Sequence, residues 1–226
     1  MPVKCAICRN ESEQRSIGSG STFGSYDLDL RPPELLRYTM KLWLQECPHC
    51  KYVNDDIAVE LPDAETVVRA VEFAEVGKEK GLPKVAITFE RLAMLVATNP
   101  IRAGEALLHA AWVCDDYRKD SLAQAYRRES AEFFASADFA PLGEQGLRLQ
   151  FALVDIWRRA QCYEDAQELI ERLRTLPGLT STMTRVLDFQ EVRICDLDVT
   201  GYTVEQAVDY HKKFWATAKS WPGRVN

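Results

Sequence analysis

A chain of 226 residues with 46% hydrophobic and 10% aromatic residues is long enough to bury a substantial core and too apolar to remain disordered. Its net charge of −6, with seven basic against nine acidic residues in the first sixty, disfavours non-specific binding to nucleic acid or to an anionic membrane surface. Apolar runs such as Ala103 to Cys114 are interrupted by charge well short of the roughly 20 residues that span a bilayer, so no membrane helix is predicted.

The first element in chain order is a knuckle, Cys5-Ala-Ile-Cys8, answered much later by Cys47-Pro-His-Cys50. A two-residue spacer lets both sulfurs of a turn converge on one ion, so the two pairs predict a tetrahedral site with Cys5, Cys8, Cys47 and Cys50 as ligands. Four thiolates suit Zn²⁺, and four protein ligands leave no position for water or substrate, which makes the zinc structural. Between the pairs, Ser16 to Ser25 is Gly/Ser-rich and aperiodic, a surface loop without the Lys-Ser/Thr ending of a P-loop. Tyr26-Asp27-Leu28-Asp29-Leu30 alternates and Arg31-Pro32-Pro33 stops it, reading as a charged surface hairpin. Tyr38 to Glu46 alternates again, predicting a strand that delivers Cys47.

After Leu61-Pro62 the pattern becomes helical. Asp63 is the expected N-cap of a helix through Val67, Val71 and Ala74, which Gly81 terminates. Val85, Phe89, Leu92 and Val96 define the next helix, and Ala103, Ala106, Leu107, Ala110, Ala111 and Cys114 a small-faced one. Leu122, Tyr126 and Phe133 mark a fourth. Leu147, Phe151, Val154, Trp157 and Ala160 face Ala166, Leu169, Ile170 and Leu173 across the turn Arg159 to Ala166, which resembles the inter-helix turn of a tetratricopeptide repeat, without its glycine near Gln161. Two last helices run through Met183 to Ile194 and Val204 to Ala218, the latter with His211 in its apolar stripe. The expected fold is therefore mainly α with a small β N-terminal zinc unit: residues 1–61 a zinc-ribbon-like domain, 62–226 a TPR-like helical-hairpin array.

Seven cysteines is an odd number, and three remain after the metal. Cys114, Cys162 and Cys195 lie among apolar residues without a basic cluster, and read as buried small hydrophobes. His49 is expected in solvent or behind the ligands. Arg158, Arg159, Arg172 and Arg174 read as a solvated face paired with Glu164, Glu168 and Glu171. The CPHC pair is also similar to the redox motif of strongly oxidising thioredoxin-fold enzymes. That reading needs Cys47 at a helix N-terminus, whereas Lys51 to Asp55 is turn and strand in character.

The N-terminal pattern as a whole, CxxC, then Ser-Tyr-Asp-Leu-Asp-Leu-Arg-Pro, then Cys-Pro-His-Cys-Lys-Tyr, resembles an uncharacterised bacterial family with an N-terminal zinc-binding unit and tetratricopeptide-like helices. The resemblance implies a bacterial cytoplasmic protein and brings no catalytic residues. A start of Met-Pro-Val-Lys-Cys without an apolar stretch agrees with a cytoplasmic location. The expected function is non-enzymatic: a zinc-binding protein with a helical surface for a protein or peptide partner. A nucleic-acid-binding zinc ribbon is the alternative, with a thiol-disulfide oxidoreductase behind it.

Overall fold

In the computed structural model of the chain, the described residues are 1–78 and 81–210, and they are mainly helical. Contacts divide the chain into two compact units. One comprises Met1–Phe23 with Glu34–Asp138, the other Gly24–Pro33 with the residues from Phe139 onward. The boundary expected after Leu61 falls inside the first unit.

The first unit begins with two short antiparallel hairpins, β1 (Pro2–Lys4) with β2 (Glu11–Glu13) and β3 (Gln45–Glu46) with β4 (Val53–Asn54). Val3 faces Ser12 in one, and Gln45 faces Asn54 in the other. The strand expected over 38–46 is reduced to those last two residues. Before them come a four-residue helix α1 (Glu34–Arg37) and a 3₁₀ turn, Met40–Leu42. Thr39 explains the difference: its carbonyl accepts from the Leu42 amide at 2.7 Å and its hydroxyl from the Trp43 indole at 2.7 Å, which closes a turn where the apolar alternation suggested extension.

The single helix expected from Asp63 is two, α2 (Ala64–Arg69) and α3 (Val71–Glu75), split by extended backbone at Ala70. Asp63 itself lies at φ 55° and its side chain makes no cap bond. The break turns Phe73 inward, where Arg91 stacks 5.7 Å from its ring centre, and leaves Val71 exposed. Three longer helices follow: α4 (Lys84–Leu95), α5 (Pro100–Asp116) and α6 (Asp120–Ala135), with α5 packed against both others. Asn99 caps α5 by accepting the Arg102 amide at 3.1 Å, and Pro100 at the first helical position needs no partner for its missing N–H. The predicted small face of α5 is buried, Ala103, Ala106, Ala110 and Ala111 all being at most 1% exposed. At Gly104 a Cβ would stand 3.1 Å from both the Phe134 ring and the Ser130 carbonyl, so the absence of a side chain sets the helix separation. Phe134, one position on from the expected Phe133, fills the core.

The second unit contains α7 (Glu144–Arg159), α8 (Tyr163–Arg174), α9 (Ser181–Cys195) and a helical stretch over 204–210. The rest of the expected last helix, His211 included, lies outside the described residues. Residues 24–33 are not the surface hairpin expected. Leu30 at φ 64° closes a tight turn, the Leu28 amide donates to the Tyr202 carbonyl at 2.8 Å, and the Val204 amide donates to that of Tyr26 at 2.9 Å. Leu28 thereby joins Val186, Phe189 and Ala207 in the core, and Asp29, fully buried, meets the Arg159 guanidinium at 2.7 Å. Alternating Asp-Leu-Asp-Leu is equally the pattern of a segment whose carboxylates are paired inside, and the partner is 130 residues away in sequence.

Three helices end alike. After α5, α7 and α9, the residues Arg118, Gln161 and Leu197 adopt positive φ of 53°, 61° and 52°. The amides that follow, of Lys119, Cys162 and Asp198, reach back to the carbonyls of Cys114, Trp157 and Arg193. These are Schellman motifs closed without glycine, so each carries the strain of a side chain in the left-handed region. At Gln161 the turn forms where the repeat glycine is missing, and Ala166 beyond it is fully buried.

Candidate metal centre

The first hairpin supplies one half of the centre. In Cys5 to Asn10, the Arg9 amide donates to the Cys5 carbonyl at 3.0 Å and the Cys5 amide to the Asn10 carbonyl at 2.9 Å, with Arg9 at φ 61°. The second hairpin repeats this bond for bond. The Lys51 amide donates to the Cys47 carbonyl at 3.0 Å, the Cys47 amide to the Tyr52 carbonyl at 2.9 Å, and Lys51 sits at φ 66°. Each turn thus aims two sulfurs the same way, which is what the two-residue spacer requires.

The four sulfurs lie within 4.8 Å of one another and could hold a metal ion. Cys5 and Cys50 are 3.6 Å apart and Cys8 and Cys47 3.5 Å, so each contact joins one knuckle to the other. Sulfurs about 2.3 Å from a central zinc stand roughly 3.8 Å apart in a regular tetrahedron, and the donor set fits such an ion with a small adjustment. Cys5 and Cys47 are fully buried, and Cys8 and Cys50 are partly exposed.

The surroundings treat the thiols unequally. Burial pushes Cys5 and Cys50 up. Burial acts on Cys8 too, but the amides of Asn10 and the neighbouring thiols outweigh it and bring Cys8 down to about 6. The Asn10 side-chain amide, 3.5 Å from the Cys8 sulfur, had no signal in the sequence beyond its place two residues after a cysteine. Behind the knuckles the Ala6 amide donates to the Ile57 carbonyl at 2.8 Å, and the Ile57 amide to Gln45 Oε1 at 3.1 Å. The buried Tyr52 hydroxyl donates to the Val59 carbonyl at 2.7 Å, and Arg102 of α5 donates to Asn54 Oδ1 at 3.0 Å and to Asp55 at 3.1 Å. These bonds tie the centre to its own loop and to α5, supplying the outer support that orients ligands.

The remaining residues singled out from the sequence scatter. His49 is exposed at the tip of the second knuckle. Cys47 follows β3 and enters a turn, not a helix, so no helix N-terminus stabilises its thiolate as the thioredoxin-like reading requires. Cys114 is buried as expected, but Cys195 is exposed and Cys162 precedes α8 half-buried. The arginines expected on one solvated face part company. Arg158 is fully buried, Arg159 pairs with Asp29, and Arg174 pairs with Asp188 and Glu191 of α9, each at 2.8 Å. Among the described residues no second group of three or more His, Cys, Asp or Glu side chains comes together as a possible metal site.

No family model, no curated protein and no solved structure matches this chain.

Proposed function

We propose that the protein is a non-enzymatic interaction protein, in which a structural Zn²⁺ on Cys5, Cys8, Cys47 and Cys50 fixes a zinc-ribbon-like platform and the helices, TPR-like in kind, provide a surface that receives a protein or peptide. The observation that carries this reading is the closed donor set, four sulfurs within 4.8 Å supplied by two matching turns. With all four tetrahedral positions taken by the chain, zinc has no open position for Lewis-acid chemistry and contributes folding energy instead. Thiolate ligands need a reducing compartment, which supports the cytoplasm. A net charge of −6 weighs against nucleic acid as the partner.

The test has two parts. Elemental analysis of the purified protein is expected to give one zinc per chain. A random peptide array probed with the zinc-loaded protein, and again after chelation, is expected to retain a peptide set that chelation removes. A zinc-loaded protein that retains no peptide overturns the reading, and binding of duplex or single-stranded DNA with a steep salt dependence would put the nucleic-acid alternative in its place.

A further inference from the structure

Between the metal platform and α4 lies a cleft of about 440 Å³, within the range of small-ligand sites. Its floor is apolar, made by the buried Met40 and Phe89, with Leu42, Leu44 and Val85 on the walls. Five charged groups line it, and their pairing is uneven. Glu46 is engaged by Arg91 and Lys51, each at 3.4 Å, and by the Thr88 hydroxyl at 3.3 Å. Glu13 meets the N-terminal ammonium at 3.1 Å. The three cations, Arg15, Lys41 and Lys84, are exposed and make no ion pair among the described residues. With its carboxylates already answered, the mouth carries unanswered positive charge in a chain of net charge −6. The cations come from three separate segments, the end of the first hairpin, the 3₁₀ turn and the start of α4. A ligand with one acid group engages one of them, while a chain of acidic residues engages all three.

We infer that this cleft is the peptide site of the proposed function, and that it takes an acidic segment in which an apolar side chain enters between Met40 and Phe89 while flanking Asp or Glu residues meet Arg15, Lys41 and Lys84. The inference rests on the interaction reading above and adds the chemistry of the partner. Charge complementarity of this kind sets selectivity and encounter rate, and the apolar floor holds the complex.

The experiment is fluorescence anisotropy of the full, zinc-loaded chain with a fluorescein-labelled decapeptide of repeating Asp-Glu-Leu. A second peptide with Lys for every acid and a third with Ser for every Leu serve as comparisons. Binding is expected for the first peptide alone, weakened at least about tenfold by the pair Lys41→Glu and Lys84→Glu and severalfold by Arg15→Ala. These side chains are exposed, so unchanged circular dichroism and zinc content establish that the variants fold. Equal binding of the Lys peptide, or indifference to the charge reversals, overturns the assignment. So does displacement of the peptide by decanoate at equal concentration, which would make the site one for a single carboxylate on an apolar chain. If the array retains non-acidic peptides that the charge reversals do not disturb, this inference falls and the interaction reading stands. If it retains none, both fall.

Discussion

Arg158 offers the sharpest energetic test of the second unit. Its guanidinium is fully buried at the end of α7, donating to Asp155 Oδ1 at 2.5 Å, Gln190 Oε1 at 2.7 Å and the Thr200 carbonyl at 2.9 Å, and also to the Asp198 carbonyl. Asp155 is fully buried too; beyond Arg158 it receives Gln190 Nε2 at 3.0 Å, while its Oδ2 has no hydrogen-bond partner. Arg158→Met keeps much of the volume and removes the charge, so a carboxylate is left buried with one neutral donor and two carbonyls lose theirs. Breaking a buried pair from one side costs about 3–5 kcal/mol. For a chain of this size each kcal/mol moves the melting point by about 2–4 °C, so the midpoint should fall by roughly 6–20 °C. Asp155→Leu combined with Arg158→Met removes both charges and should recover most of the loss, because the desolvation cost disappears with the attraction. Urea unfolding by circular dichroism, with amide exchange in α7 as the local readout, measures all corners of the cycle. A single-variant cost below about 1 kcal/mol would refute the reasoning, since it means water or another cation reaches Asp155.

Cys5→Ser or Cys47→Ser should lower zinc content and loosen the hairpins while most helicity persists; elemental analysis beside circular dichroism checks this, and full zinc retention refutes the ligand assignment. At Asp198 burial raises the carboxyl, but the Tyr202 hydroxyl and the Thr200 amide outweigh it and hold it at about 2, below its ordinary 3.8. A depressed folded value stabilises the charged form at neutral pH and is lost as pH falls through about 2. Asp198→Asn should therefore cost about 1–2 kcal/mol at pH 7, with the two proteins converging near pH 2 in urea titrations. Burial pushes the Cys114 thiol up to about 11, whereas Cys195 is exposed. In the zinc-loaded native protein a disulfide reagent should modify Cys195 promptly and Cys114 only after unfolding, and prompt reaction at both would contradict the packing of α5. Trp157→Ala, on the buried side of α7, should destabilise by about 3–5 kcal/mol in the same urea assay.

The parts of this molecule that were readable in the sequence are those governed by local spacing. The CxxC pairs announce the sulfur cluster because a short turn has few ways to present two thiols, and α4 to α9 follow the apolar period because each helix buries one stripe. What escaped was decided by partners distant in sequence. Asp27, Asp29 and Arg31 look like a charged surface hairpin until Arg159 and the loop around Tyr202 meet that segment, and Arg158 looks like surface charge until Asp155 and Gln190 receive it. The alternation over Met40, Leu42 and Leu44 misled for a different reason. A 3₁₀ turn closed by Thr39 precedes Trp43, and two of those residues wall a cleft instead of pairing in a sheet. Asn10 shows a third kind of miss, a polar side chain whose role exists only once its neighbour sulfur is placed.

The two knuckles match in backbone but not in depth. In each, the first cysteine is enclosed and the second borders solvent, so a held ion turns one edge, Cys8 with Cys50, toward the outside. A competing chelator can approach only there. It would displace those two sulfurs before the enclosed pair, and exchange would pass through a mixed complex in which the protein still grips the ion by Cys5 and Cys47. Release of an ion held there would thus be stepwise, with its slow stage belonging to the interior.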